Sequence, residues 1–189
     1  MLWAIIAVVI VVALVAFVVV GFNKLRTTDI GAQEALGGID VQLTRRADLI
    51  PNLVETVKGY AAHEQETLQA VTQARAGAQQ ATTPQQAAVA EGGLSQALGR
   101  LFAVAEAYPD LKADANFRQL QDELSEIEQE LQGARRYYNA TARDLNTRTQ
   151  SFPDVLFARP LGFSEAEFYQ DDDASIQHAP KVEFGAAKG

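Results

Sequence analysis

Cysteine is absent from this chain, which excludes disulfides, thiolate nucleophiles and zinc–thiolate sites together. Histidine is almost absent, with only His63 and His178. His63 stands beside Glu64 and Glu66, yet a zincin needs a second histidine where Thr67 stands, and a di-iron bundle needs a glutamate where Tyr60 stands. His63 therefore reads as part of a solvated helix face. Bases are outnumbered, 16 against 24 acids, and a surface of that sign fits phosphate poorly. Nucleic acid is not an expected partner. There is no Gly-rich phosphate loop and no Gly-x-Ser-x-Gly elbow. The carboxylates Asp122, Glu123, Glu126, Glu128 and Glu130 are spread around one helix, as on a solvated face, and not gathered as an acid–base pair would be. No catalytic, metal or cofactor site is expected, and the chain does not read as an enzyme.

What the sequence has instead is an uninterrupted apolar run. From Leu2 to Phe22 there is no charged side chain and no proline. At about 1.5 Å per residue this run makes a rod of about 31 Å, close to the ~30 Å hydrocarbon thickness of a bilayer. A cleaved signal peptide would have a charged start, an apolar core of about 7–15 residues and small residues before a cut site. This run begins Leu2-Trp3 and ends Val20-Gly21-Phe22-Asn23, so it reads as an uncleaved single-pass anchor. Leu2, Trp3, Phe17 and Phe22 mark the span, and the lipid bilayer is its partner. Lys24 and Arg26 follow it, with Arg45 and Arg46 further on, and positive charge tends to stay cytoplasmic. The soluble part is expected on the cytoplasmic side.

Beyond the anchor the apolar residues keep helical spacing. Leu36, Ile39, Leu43, Ile50, Leu53, Val57 and Tyr60, and later Leu68 and Val71, fall on one stripe. Pro51 interrupts its hydrogen bonding, removing the donor for the Ala47 carbonyl, but the stripe does not slip in phase across it. A long helix kinked near Pro51 is expected, with a break as the alternative. Thr83-Pro84-Gln85-Gln86 reads as a helix start, with Thr83 as N-cap, and Tyr108-Pro109-Asp110 as its end. Asn116 reads as the next cap. From there Phe117, Leu120, Leu124, Ile127, Leu131, Ala134, Tyr138, Ala142, Leu145, Thr149 and Phe152 run in steps of three and four, about five heptads, until Pro153. Only Lys181-Val182-Glu183-Phe184 suggests a strand. The fold class is all-α: a transmembrane helix followed by an elongated antiparallel up-and-down bundle of three or four long helices. Residues 1–22 form the anchor, 23–153 the bundle, and 154–189 a C-terminal aromatic segment with an acidic tail at Asp171–Asp173.

Two groups are candidates for contact. Phe157, Leu161, Phe163, Phe168 and Tyr169 either pack back on the bundle or meet a partner or lipid headgroups. Arg45, Arg46, Arg135 and Arg136 either dock an anion or acidic partner, or pair with acidic faces of neighbouring helices. The isolated span carries no polar residue and no small-xxx-small motif, so the expected homo-oligomer would be held by the soluble part.

The order Ile39-Asp40-Val41-Gln42-Leu43, Arg45-Arg46-Ala47-Asp48-Leu49-Ile50-Pro51-Asn52-Leu53, Ala103-Val104-Ala105-Glu106-Ala107-Tyr108-Pro109-Asp110-Leu111, Asn116-Phe117, Arg135-Arg136-Tyr137-Tyr138-Asn139, Phe152-Pro153 and Gly162-Phe163 resembles the LemA family of bacterial membrane-anchored helical proteins. The chain departs from the family pattern at Leu36-Gly37-Gly38, where an aromatic-led turn is common. The resemblance implies an N-terminal anchor, an antiparallel bundle and a bacterial inner-membrane location, and brings no catalytic residues. It also implies links to membrane remodelling and, in some relatives, to a membrane protease. The function expected is a scaffold or oligomerising platform at the membrane. The alternative is an accessory subunit of a membrane protease or sensor kinase.

Overall fold

The computed structural model describes residues 1–169. The acidic run Asp171–Asp173, His178 and the suggested strand Lys181–Phe184 lie outside the described residues. Six helices lie within them: α1 (Leu2–Tyr60), α2 (Gln65–Gln79), α3 (Pro84–Ala105), α4 (Pro109–Ala113), α5 (Ala115–Gln150) and α6 (Val155–Ala158), with no strand among the described residues.

The anchor and the first bundle helix are a single element. α1 runs 59 residues without interruption, so its length is about 88 Å. The stretch from Leu2 to Val20 is covered by no other part of the chain, as expected of side chains that meet lipid. Leu2, Trp3 and Phe17 all lie on this bare stretch, whereas Phe22 is half-buried. Pro51 does not break the helix. The carbonyl it deprives of a donor, that of Ala47, accepts instead from Arg75 Nε of α2 at 2.7 Å. The proline is tolerated because a neighbouring helix supplies the missing hydrogen bond.

α1 ends at Tyr60, and a turn through Ala61–Glu64 reverses the chain, so that Leu68 and Val71 return to pack on Leu53 and Val57. The start of α3 has Thr83 as N-cap, accepting from the Gln86 N–H at 3.2 Å. Gln86 reaches back to Thr82, accepting from its N–H at 3.0 Å. α5 begins two residues earlier than its sequence suggests. Asp114, not Asn116, is its cap, accepting from the Phe117 N–H at 2.9 Å. An ionised carboxylate is a stronger acceptor than an amide for this end of a helix.

Partners of α1 fall in residue number as α1 rises: Phe22 meets Phe163 beyond α6, Arg45 meets Glu130 of α5, and Tyr60 meets Asp114 at the α5 cap. The two helices are antiparallel, with α2 descending and α3 ascending beside them over the far half only. The four-helix end holds the largest core, including Ile50, Leu53, Val57, Leu94, Leu101, Phe117 and Leu124. A second cluster at mid-height joins Ile39, Leu131, Tyr138 and Ala142 to Tyr169. A third, at the membrane end, gathers Leu25, Ala158 and Phe163 with Phe22 and Phe157. There α2 and α3 are absent, and the segment after α5 covers the helix pair in their place.

Candidate functional site

Two arrangements stand out, a buried charge cluster and a clamped C-terminal strap. The first centres on Arg46, on the inward face of α1 and only 5% exposed. Its guanidinium donates through Nη1 to Glu91 Oε2 at 2.7 Å and through Nη2 to Ser95 Oγ at 3.0 Å, both on α3. It also lies 3.0 Å from Glu128 Oε2 of α5, an ion pair that lacks directed hydrogen-bond geometry. One planar fork thus ties three helices, a use that suits arginine better than lysine. Arg135, also buried, approaches Glu91 and stacks at 4.9 Å over the Tyr169 ring. Burial holds the Glu91 carboxyl above the usual range, opposed mainly by the charge of Arg46. Two arginines and two glutamates balance within the cluster.

Glu91 also lines a cleft of about 390 Å³ with Asp40, Thr44 and Gln79, where burial likewise raises Asp40. The chemistry available is limited. Ser95 has a guanidinium beside it and not a base, and its carboxylate neighbours are committed to arginines. Among the described residues, no three of His, Cys, Asp and Glu stand close enough to hold a metal ion. The arrangement serves as a stitch between helices.

The arginine pairs of the sequence divide by helix phase. Arg46 and Arg135 turn inward, whereas Arg45 forms an exposed pair with Glu130 at 2.7 Å and Arg136 faces out. Arg46 and Arg135 are therefore not available to an external anion. Glu128, read from the sequence as a solvated carboxylate, faces Arg46. The acidic run does surround one helix, but two of its members, Glu128 and Glu130, reach across to arginines of α1.

The second arrangement accounts for the C-terminal aromatics. After α6 the chain extends back along α5, pinned by two asparagines. Asn146 accepts from the Ala166 N–H at 2.7 Å and donates to the Ala166 carbonyl at 2.9 Å. Asn139 does the same to Tyr169, at 2.8 and 2.9 Å. Seven helical residues rise about 10.5 Å, and three extended residues span about 10 Å, so the two clamps stay in register. Between them the Tyr138 hydroxyl donates to the Glu167 carbonyl at 2.6 Å, and burial raises its pKa. Side-chain amides thereby satisfy the backbone of a strap that has no strand to pair with. Phe163 and Tyr169 are buried and Phe157 and Phe168 half-buried, while Leu161 stays exposed. His63, in the turn after α1, is exposed, as a solvated residue would be.

The charge cluster and the clamps fall inside the stretch matched by the LemA family profile, residues 35–184. This chain belongs to the LemA family. It is similar to magnetosome protein MamQ 2 of Paramagnetospirillum magneticum, with 26% identity over 90% of this chain and 72% of the relative. Magnetosome protein MamQ of Magnetospirillum gryphiswaldense is 25% identical over 87% and 71% of the two chains. Protein LemA of Metamycoplasma hominis is 28% identical over 82% and 71%. As a LemA family member with a bare apolar N-terminal helix, the chain is a membrane protein.

The sequence reading missed Glu91, Ser95, Arg75, Asn139 and Asn146 as structural groups. Only the asparagines left a trace, as two poor helix formers one heptad apart inside a long helix.

Proposed function

We propose that this LemA family protein is a single-pass membrane scaffold. It holds a rigid helical platform against the cytoplasmic face of a bacterial inner membrane, and copies of itself assemble there to organise the bilayer. The observation that carries this reading is the continuity of α1, which leaves no linker between span and bundle. A tethered enzyme or regulatory domain has use for a flexible linker, whereas a platform that sets geometry at a surface needs a rigid one. The charge cluster supports the same role, since its members are engaged in joining helices. Lys24 and Arg26 support the cytoplasmic placement. Relatives that are magnetosome proteins support a role in membrane organisation.

The test is the particle mass of the full chain purified in mild detergent, by light scattering with the detergent subtracted. Several copies of the 20.5 kDa chain per particle are expected. A single copy at concentrations well above micromolar would overturn self-assembly. A single copy with a stoichiometric protease or kinase would assign the accessory role instead.

A further inference from the structure

The segment joining α5 to the strap carries apolar side chains that the bundle does not cover. Phe152 is 79% exposed, Leu156 68% and Leu161 45%, with Val155 beside them at 39%. Elsewhere on such a small domain this would be an unexplained patch. Its location supplies the explanation. α6 lies against the last turn of the apolar run: a Cβ placed on Gly21 would come within 2.5 Å of Phe157 Cζ, so only glycine admits the ring so close. Phe22 packs edge-on against Phe163 at 5.6 Å between centroids, and Leu25, Ala158 and Phe163 bury one another just above. The patch is therefore level with Gly21 and Phe22, where the hydrophobic length of the span ends. Val19 and Val20, which precede Gly21 on the anchor, are themselves bare.

We propose that residues 152–161 form a second membrane contact, a foot whose Phe152, Leu156 and Leu161 enter the boundary between headgroups and acyl chains beside the anchor. The occupant of this surface is lipid. An apolar face on the rim of a span meets the bilayer before it can meet anything else. The charges agree. Lys24 and Arg26 on α1 and Arg159 on the foot are placed to reach the phosphate layer; Arg26 also pairs with Asp29, and Arg159 stays 81% exposed although 3.8 Å from Glu165. The carboxylate of the foot, Asp154, is half-buried near Gly21 and not on the outer rim. The foot makes two attachments out of one, and the second attachment restrains rotation of the bundle about the span axis.

The proposal rests on the reading of Leu2–Phe22 as a membrane span, and the test separates the two. Because the chain has no cysteine, single cysteines label cleanly. Full-length Leu156→Cys, Val20→Cys and Val89→Cys proteins, each carrying an environment-sensitive fluorophore, are reconstituted into phosphatidylcholine–phosphatidylglycerol vesicles. Part of the lipid bears a nitroxide near the glycerol end of the acyl chain. Val89 lies on α3, far from the bilayer, and is exposed. Blue-shifted emission and nitroxide quenching at position 156, close to those at position 20 and absent at position 89, are expected. Emission at 156 as red and as unquenched as at 89 would overturn the foot while leaving the span intact. A blue shift without quenching would mean a protein cover, and would also overturn it. No quenching at position 20 would overturn the span itself, and the foot with it.

Discussion

Pro51 and Arg75 stand 24 positions apart in the chain and act on one carbonyl, which makes their energies interdependent in a measurable way. Arg75→Met keeps most of the aliphatic stem but removes the donor to the Ala47 carbonyl. Ala47 is 5% exposed, so water has little access to that oxygen. Leaving a buried acceptor unsatisfied costs about 1–3 kcal/mol. Pro51→Ala restores the ordinary helical donor at the same carbonyl. An interior proline costs about 3 kcal/mol relative to alanine, and the gain here should be smaller because Arg75 already serves the acceptor. In the Pro51→Ala background Arg75→Met should then behave as a surface change, within about 0.5 kcal/mol. The coupling between the two substitutions is about 0.5–3 kcal/mol by difference. Urea unfolding of the four full-length proteins in detergent, followed by helical circular dichroism, measures it. Equal costs of Arg75→Met in both backgrounds would refute the account of how α1 passes Pro51.

Glu91→Ala should cost about 3–5 kcal/mol, because it strands a buried guanidinium, whereas Arg45→Ala in the exposed pair should cost under about 1 kcal/mol; the same unfolding assay compares them. Ile127→Ala should cost about 2–5 kcal/mol, as a buried side chain on the long α5 stripe. Asn139→Ala and Asn146→Ala should each weaken the strap by about 1–3 kcal/mol and expose the Ser164–Tyr169 stretch to limited proteolysis while the bundle stays helical. Asp114 contributes a pH dependence on the acid side. The Phe117 N–H first, then the Tyr60 hydroxyl, hold its carboxyl below the usual 3.8. The native state therefore takes up the proton less readily than the unfolded chain, so this stabilisation is present above that value and lost as pH falls through the native one. Asp114→Asn should accordingly make the fall in stability below about pH 4 less steep in an acid titration of unfolding.

The features legible in the sequence were those written in local periodicity and capping chemistry. The span announced itself by length and lack of charge, α3 by Thr83-Pro84, and α5 by a stripe that stays inward from Phe117 to Thr149 and fails only at Phe152. The turn at Ala61–Glu64 left little signal, since no glycine or proline stands within it and Leu68 and Val71 read as a continuation of the same stripe. The polar interior was not legible. Periodicity says which side of a helix is apolar, but it does not say that Glu128 will find Arg46 across the bundle, or that Arg75 will find a carbonyl left open by Pro51. Those pairings exist only once four helices are brought together. The aromatic C-terminal segment was recognised as contact-forming, but its division into a buried strap and an exposed foot depends on the position of α5 beside the span.

The unbroken helix has a mechanical consequence. Above Phe22, α1 extends about 57 Å from the membrane. A span about 31 Å long fits a hydrocarbon layer about 2 Å thinner by tilting about 20°, an ordinary angle for such helices. With no hinge at the surface, the same rotation carries the far end of the bundle sideways by about 20 Å. The molecule is a lever whose short arm is the span and whose long arm is the rest of α1, and about 2 Å of thickness becomes about 20 Å of lateral movement. Small differences in membrane thickness, too slight to alter any contact inside the protein, become displacements comparable to the width of the bundle.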